Sequence, residues 1–324
     1  MKAVRIAEPG GREVLRYEDA PRPEPKAGEA LVKIEAAGVN FIDVYHRTGA
    51  YKGNFPLTLG VEGAGTVEAV APGVTEVRAG DRVASIALAG SYAEYAVAPA
   101  EKLVRLPEGV SASHGAAAIL QGMTAHYLAS STYPLQPGDA CLVHAAAGGV
   151  GRLLCQIAKM RGAKVIATAG GPDKTRIARE AGADEAIDYE SQDFEAEVRK
   201  FTGGKGVQVV YDSVGKTTFE KSLNCLARRG VMVLFGQSSG AVAPVDPQVL
   251  NLKGSLYLTR PTLFHYVAAR EDLLERAGQV FGWIRDGKLK LSIFREVPLA
   301  NAAEAHRMLE SRETTGKVLL IPSA

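Results

Sequence analysis

The run Val143-His144-Ala145-Ala146-Ala147-Gly148-Gly149-Val150-Gly151 constrains the fold of this chain more than any other stretch. It joins a strand-like segment to a helix-like one through residues with almost no side chain. Ala140 to Val143 is short and apolar, like a strand buried on both faces, whereas Gly149 to Arg161 sets Val150, Leu153, Leu154, Ile157 and Ala158 at helical spacing. The backbone must turn sharply between them. A pyrophosphate is held by exposed N–H donors at a helix start, and any Cβ substituent larger than a methyl group holds it off. The strict fingerprint for such a cradle is GxGxxG. Here its three places carry Ala146, Gly148 and Gly151, so the first departs from the pattern. The same small residues also suit a helix that merely packs close to a sheet, and βαβ context separates the two readings.

That context follows. Lys164 to Thr168 reads as an apolar second strand, and a helix opens near Pro172 with Arg176, Ile177, Ala178 and Ala181 in its turns. An NAD-selective site places an Asp or Glu at the end of this strand, roughly 20 residues beyond the glycines, to hold the ribose hydroxyls. This chain has Gly170 and Gly171 there, no carboxylate to repel a 2′-phosphate, and Lys174 within one turn to attract it, with Arg176 as a second candidate. The pattern favours NADPH over NADH, unless Lys174 is only a solvated first-turn lysine. Further strands are expected at Glu185 to Ile187, Val207 to Tyr211, Val231 to Phe235 and Ser255 to Leu258, giving a doubly wound parallel sheet. Ligands bind beyond the carboxyl ends of such strands. That directs attention to Tyr189, to Asp212-Ser213-Val214-Gly215 and to Gly236-Gln237-Ser238-Ser239. Ser213 and the glycines Gly215 and Gly236 would let the nicotinamide half approach the backbone, and Tyr189 would cover the adenine or meet the 2′-phosphate. Taken singly, each also reads as a helix cap or turn former.

At 324 residues, two domains are expected. Residues 1 to about 105 read as β-rich, with turns at Pro9-Gly10-Gly11, Pro72-Gly73 and Ala79-Gly80-Asp81. A helical stretch from Ala112 to Ser130 leads toward the cradle strand. Helices are also expected at Arg270 to Arg285 and Asn301 to Glu310. A closing strand, Lys317 to Ile321, breaks the βα alternation and is a candidate to return to the first domain. With 38 basic and 36 acidic residues there is no general field to draw in nucleic acid or an anionic membrane. No run of about 18 apolar residues spans a bilayer. Three cysteines without a CxxC pair, and an N-terminus without a signal core, lead us to expect a reducing, cytoplasmic setting.

Several motifs in order then resemble the quinone oxidoreductase branch of the medium-chain dehydrogenase/reductase superfamily, a group that also includes zeta-crystallin. They are Gly38-Val39-Asn40-Phe41-Ile42-Asp43, Leu59-Gly60-Val61-Glu62-Gly63-Ala64-Gly65, Gln121-Gly122-Met123-Thr124-Ala125, the cradle, Tyr211 to Gly215, Phe235 to Gly240 and Thr259-Arg260-Pro261. The resemblance covers essentially the whole chain. It implies an α/β protein with a GroES-like β-rich catalytic domain, residues 1–124 and 264–324, beside a Rossmann domain, residues 125–263, with NADPH in the cleft. It also implies a homodimer joined through the Rossmann edge strands. The cofactor contacts it implies fall on Asn40, Thr124, Tyr127, Ala146, Gly148, Gly149, Val150, Gly151, Gly170, Lys174, Tyr189, Ser213, Gly236, Ser238 and Arg312. Arg312, near the C-terminus, also reads as a solvated helix-end arginine. The alcohol dehydrogenases of the superfamily hold a catalytic zinc with an early Cys and the His of a Gly-His-Glu motif. Here Val61 stands in the His place, Gly38 to Tyr45 contains no Cys, and none of the six His shows ligand spacing, so no metal site is expected.

These observations point to an NADPH-dependent quinone reductase. Asn40, Asp43, Tyr45 and Tyr51 are candidates to line the acceptor side, where hydrogen bonds would stabilise charge on quinone oxygens. Asp43 also reads as a helix-start residue, and the two tyrosines as core aromatics. The nearest rival is an NADPH-dependent reductase of α,β-unsaturated carbonyls. A rival of another class is a cofactor-binding protein with a structural or RNA-binding role, which the balanced charge disfavours.

Overall fold

The computed structural model describes residues 1–323. Two compact units emerge: Met1–Met123 joined by the C-terminal stretch from Val267, and Thr124–Tyr266. In chain order the strands are β1 Lys2–Ile6, β2 Arg16–Asp19, β3 Glu29–Val39, β4 Leu57–Thr58, β5 Gly63–Val70, β6 Arg82–Ser85, β7 Tyr95–Pro99 and β8 Val104–Arg105. There follow β9 Ala140–Val143, β10 Lys164–Ala169, β11 Glu185–Asp188, β12 Val207–Asp212, β13 Leu226–Leu234 and β14 Tyr257–Thr259, then β15 Ile293–Pro298 and β16 Lys317–Ile321.

The first unit is built on a seven-stranded sheet of order β15-β16-β3-β5-β6-β8, with β7 also pairing β3, and a smaller sheet β2-β1-β4. Alternation along these strands turns Val4, Ile6, Val32, Ile34, Val67 and Val83 into one buried cluster. The strand that broke the βα alternation does return here. β16 pairs antiparallel with β3, setting Leu319 opposite Gly38 and Leu320 opposite Ala37, and so brings Lys317 beside the end of β3.

The second unit holds a six-stranded sheet of order β11-β10-β9-β12-β13-β14, with all strands parallel. Numbered within the unit this is 3-2-1-4-5-6, and the order reverses between β9 and β12. Helices on both faces explain why the strands are apolar without alternation: Leu142, Val143, Val165, Ile166, Val209 and Val210 are all buried. β13 begins at Leu226, earlier than the sequence reading placed it. Leu226 pairs with Val207, and the chain loops out through Arg229, at φ 62°, before Val231 pairs with Val209.

Candidate functional site

The cradle forms at the reversal point. Beyond β9 the chain turns through Ala145, a non-glycine residue held at φ 51°, and its carbonyl accepts the Gly148 amide at 2.9 Å. That same carbonyl dictates the last glycine: a Cβ at Gly151 would lie 2.4 Å from Ala145 O and 2.7 Å from Ala146 Cα. Ala is tolerated in the first fingerprint place because the left-handed residue is Ala145. Ala146 is buried and donates its amide to Thr168 O at 3.0 Å. Gly148 caps the helix Gly149–Met160. The amides of Gly149, Val150 and Gly151 lie in its first turn, have no intrahelical acceptor, and make the positive end of its dipole.

The ends of β12 and β13 are shaped by Asp212, whose carboxylate is fully buried. Its Oδ1 accepts the amides of Val214 at 2.7 Å and Gly215 at 3.0 Å, and its Oδ2 accepts the hydroxyls of Thr218 at 2.7 Å and Ser222 at 3.3 Å. Because Ser222 spends its proton on Asp212, it must accept from His144 Nε2, 2.9 Å away, leaving His144 Nδ1 to accept from Thr168 Oγ1 at 2.8 Å. Burial holds this imidazole below its ordinary pKa, in keeping with a neutral ring. The loop shaped in this way presses on its neighbour. Ser238 donates its amide to Ser213 O at 3.1 Å, and a Cβ at Gly236 would lie 2.6 Å from that oxygen.

Beyond β10, Gly170 and Gly171 precede the helix Pro172–Glu180, which carries half-buried Lys174 in its first turn. The Tyr189 hydroxyl lies at this end, 2.7 Å from the Cβ position of Gly170. Arg176 is engaged with Glu180 at 2.6 Å and Asp173 at 3.8 Å. The expectation that no carboxylate stands here is corrected. Glu190 Oε1 lies 2.6 Å from the Cβ position of Gly170, and Asp188 Oδ1 accepts the Gly171 amide at 2.8 Å. Both carboxylates arrive from the exit of β11, so inspection of the β10 end alone missed them.

The first unit contains a chain of buried polar groups that runs through Asn40. Lys317 and Glu62 form an ion pair with side-chain exposures of 1% and 0%. Lys317 Nζ donates to Asn40 Oδ1 at 2.8 Å, Asn40 Nδ2 donates to Glu62 Oε2 at 2.8 Å and Gly38 O at 3.3 Å, and Leu120 N donates to Glu62 Oε1 at 2.7 Å. A donor-only ammonium on one side and an acceptor-only carboxylate on the other fix the amide's orientation. The Asn40 backbone N–H donates to Asp43 Oδ2 at 2.9 Å, and the same oxygen accepts the Tyr92 hydroxyl at 3.0 Å. Beyond Tyr92 stands His306, with Nε2 at 3.3 Å, and then Arg47 Nη1 on His306 Nδ1 at 3.0 Å and Glu310 on Arg47 Nη2 at 2.7 Å. Arg47 only donates, so Nδ1 accepts, the imidazole proton sits on Nε2, and the chain donates in one direction toward Asp43. Burial and the adjacent guanidinium drive His306 down to about 3, while burial pushes the Asp43 carboxyl up to about 7 against the pull of Asn40 N–H and Tyr92.

Similarity to known proteins agrees with this geometry. The alcohol dehydrogenase GroES-like domain model matches residues 26–108 and the zinc-binding dehydrogenase model matches residues 149–274. A quinone oxidoreductase of Pseudomonas aeruginosa is 46% identical, covering 99% of each chain. The chain belongs to the quinone oxidoreductase family of medium-chain dehydrogenases/reductases. Within it, a 2-haloacrylate reductase of Burkholderia is 40% identical, covering 99% of each chain. Among solved structures, a mycobacterial protein complexed with NADPH is 48% identical with a TM-score of 0.97, covering 99% of this chain and all of that one. The Escherichia coli quinone oxidoreductase complexed with NADPH is 44% identical, also with a TM-score of 0.97, again covering 99% of this chain and all of that one.

As a member of this family the chain departs from several residue-level expectations. Asp43 is fully buried and serves its own helix start, so it does not line an acceptor surface. Asn40 has both amide hydrogens engaged inside the unit, which leaves it acceptor capacity only. Tyr45 and Tyr51 do come together, with centroids 5.3 Å apart, and Tyr51 is exposed. Thr124 is buried. Tyr127 is buried too, its ring stacked on Tyr266 at 4.2 Å and 15°. Arg312 follows the helix Ala302–Glu310 at φ 62°, exposed, with its amide donating to Leu309 O at 3.2 Å. Among the described residues no group of three His, Cys, Asp or Glu is placed to hold a metal ion, and no helix is long and apolar enough to cross a membrane. Sequence reasoning quoted Glu62 only as part of a motif and missed Lys317, Tyr92 and His306 as members of the polar chain. For Lys317 the signal lies in β16 returning beside β3, which no local pattern displays.

Proposed function

We propose that the chain is an NADPH-dependent quinone reductase. The observation that carries this reading is the backbone cradle at the β9/β12 reversal, where Gly151 and Gly236 have no room for a Cβ and the Gly149–Gly151 amides lack intrahelical partners. The NADPH complexes of two close relatives support it, as does Lys174 beside the Gly170–Gly171 turn, where a 2′-phosphate finds a cation. Bound NADPH supplies the reducing equivalents. The residues of the second unit would bind and orient it: the cradle would hold the pyrophosphate, and the Asp212-braced loop and Gly236 would admit the nicotinamide end. Tyr45 and Tyr51 supply an aromatic face for a quinone ring. A quinone accepts reducing equivalents from a positioned nicotinamide without Lewis-acid help.

The 2-haloacrylate reductase relative favours a second reading, reduction of an activated carbon–carbon double bond. Following NADPH absorbance with benzoquinones, naphthoquinones, cyclohexenone, alkenals and 2-haloacrylates separates them. Turnover confined to the enone and acrylate members would replace the quinone reading. We also propose a homodimer joined through β14, the outer strand of the parallel sheet, where Tyr257 and Leu252 stand exposed.

A further inference from the structure

The carboxylate of Glu190 stands at the Gly170–Gly171 turn that follows β10. Parallel-sheet dinucleotide sites place an acidic side chain at the end of the second strand, where it accepts the ribose hydroxyls of NAD and repels the 2′-phosphate of NADP. β10 brings no such residue; it ends at Ala169 and is followed by Gly170-Gly171. The vacancy is filled from the neighbouring strand: Glu190 Oε1 and Oε2 lie 2.6 Å and 3.8 Å from the Cβ positions of Gly170 and Gly171. The backbone that carries it is pinned. Asp188, at the end of β11, accepts the Gly171 amide at 2.8 Å, the Glu190 amide at 3.0 Å and the Ser191 hydroxyl at 3.0 Å, and Tyr189 donates its amide to Ala169 O at 3.1 Å. The helix that follows carries Lys174 in its first turn, and Arg176 is tied to Glu180, so the local field combines the Lys174 cation with the carboxylates of Glu190 and Asp188.

We propose that Glu190 is a specificity-determining residue that opposes Lys174: it weakens the grip on the 2′-phosphate, accepts the free 2′-hydroxyl of NADH, and so narrows the preference for NADPH. This rests on the reading of the second unit as the nicotinamide-nucleotide site. Glu190 is exposed, so its repulsion is partly screened and the expected effect is moderate.

The test is equilibrium binding of NADPH and NADH to the full chain, followed by nucleotide fluorescence without any acceptor, for wild type and Glu190→Gln. At low salt the variant should bind NADPH about five-fold tighter and NADH no tighter, and the gain should shrink near ~0.5 M salt. A ratio of the two dissociation constants that stays within about two-fold of wild type, or an equal shift for both nucleotides, would overturn the proposal while leaving the cofactor reading intact. Failure of the wild-type chain to bind either nucleotide would remove the cofactor reading itself.

Discussion

His306 illustrates how a single residue's chemistry follows from its neighbours. Burial and Arg47 hold its pKa down to about 3, whereas an unfolded histidine titrates near 6.5. Between those values the unfolded chain binds a proton that the folded chain refuses, so stability falls as pH drops through 6.5 toward 3. A His306→Asn variant keeps a polar side chain but removes that proton. The stability of wild type relative to His306→Asn should therefore fall by up to about 1.4 kcal/mol per pH unit below pH ~6.5. The buried Asp43 carboxyl titrates with the opposite sign and is common to both proteins, so urea midpoints compared at matched pH isolate the histidine. Parallel curves from pH ~7 to 4 would show that His306 is protonated in the folded protein. None of this was legible from sequence. A lone histidine on a C-terminal helix, a lysine opening the last strand and a glutamate before a glycine carry no mark of burial, since such residues are normally exposed. Only the return of β16 to β3 unites Lys317 with Glu62 and Asn40.

At the scale of elements, the cradle was legible because its determinants are local: an apolar strand, small residues at the turn and a helical period after them. The unpredicted part is the partner of each small residue. Gly236 reads as a turn former, yet it has no left-handed φ. Its requirement is contact, since a Cβ there would lie 2.6 Å from Ser213 O and 2.9 Å from Ser213 Cα, both backbone atoms. Gly236→Ala should therefore part the β12 and β13 loops, costing about 1–3 kcal/mol of stability in denaturant titration and at least about ten-fold in NADPH affinity. The matched control is Gly278→Ala, within the helix Arg270–Arg285, where a Cβ meets nothing within 4 Å. That change should stabilise the protein by about 0.5–1 kcal/mol through helix propensity and leave nucleotide affinity unchanged. If both alanines behave alike, close backbone approach is not what Gly236 supplies. Glu190 shows the reverse limit of local reading: it lies 20 positions beyond Gly170 and reaches it because β10 and β11 run parallel and in register, Ala169 beside Asp188.

For the whole molecule, the open question is the outer edge of the parallel sheet. Among the described residues β14 pairs with β13 alone, and an unpaired strand edge invites pairing with another chain. Its flanks are unusually apolar for a surface: Leu252 is 82% exposed and Tyr257 59%. A second copy related by a two-fold axis satisfies both conditions, because the same strand meets itself antiparallel and the same side chains cover each other. Light scattering should then give twice the 34.2 kDa chain mass. Leu252→Asp combined with Tyr257→Asp introduces four carboxylates into that two-fold contact and should yield monomer at micromolar concentration. Nucleotide affinity should persist in the monomer, since the cradle, the Asp212-braced loop and the Gly170–Gly171 turn all belong to one chain. A double variant that remains dimeric would place the contact elsewhere, and a monomeric wild type would mean that Leu252 and Tyr257 are exposed for another reason.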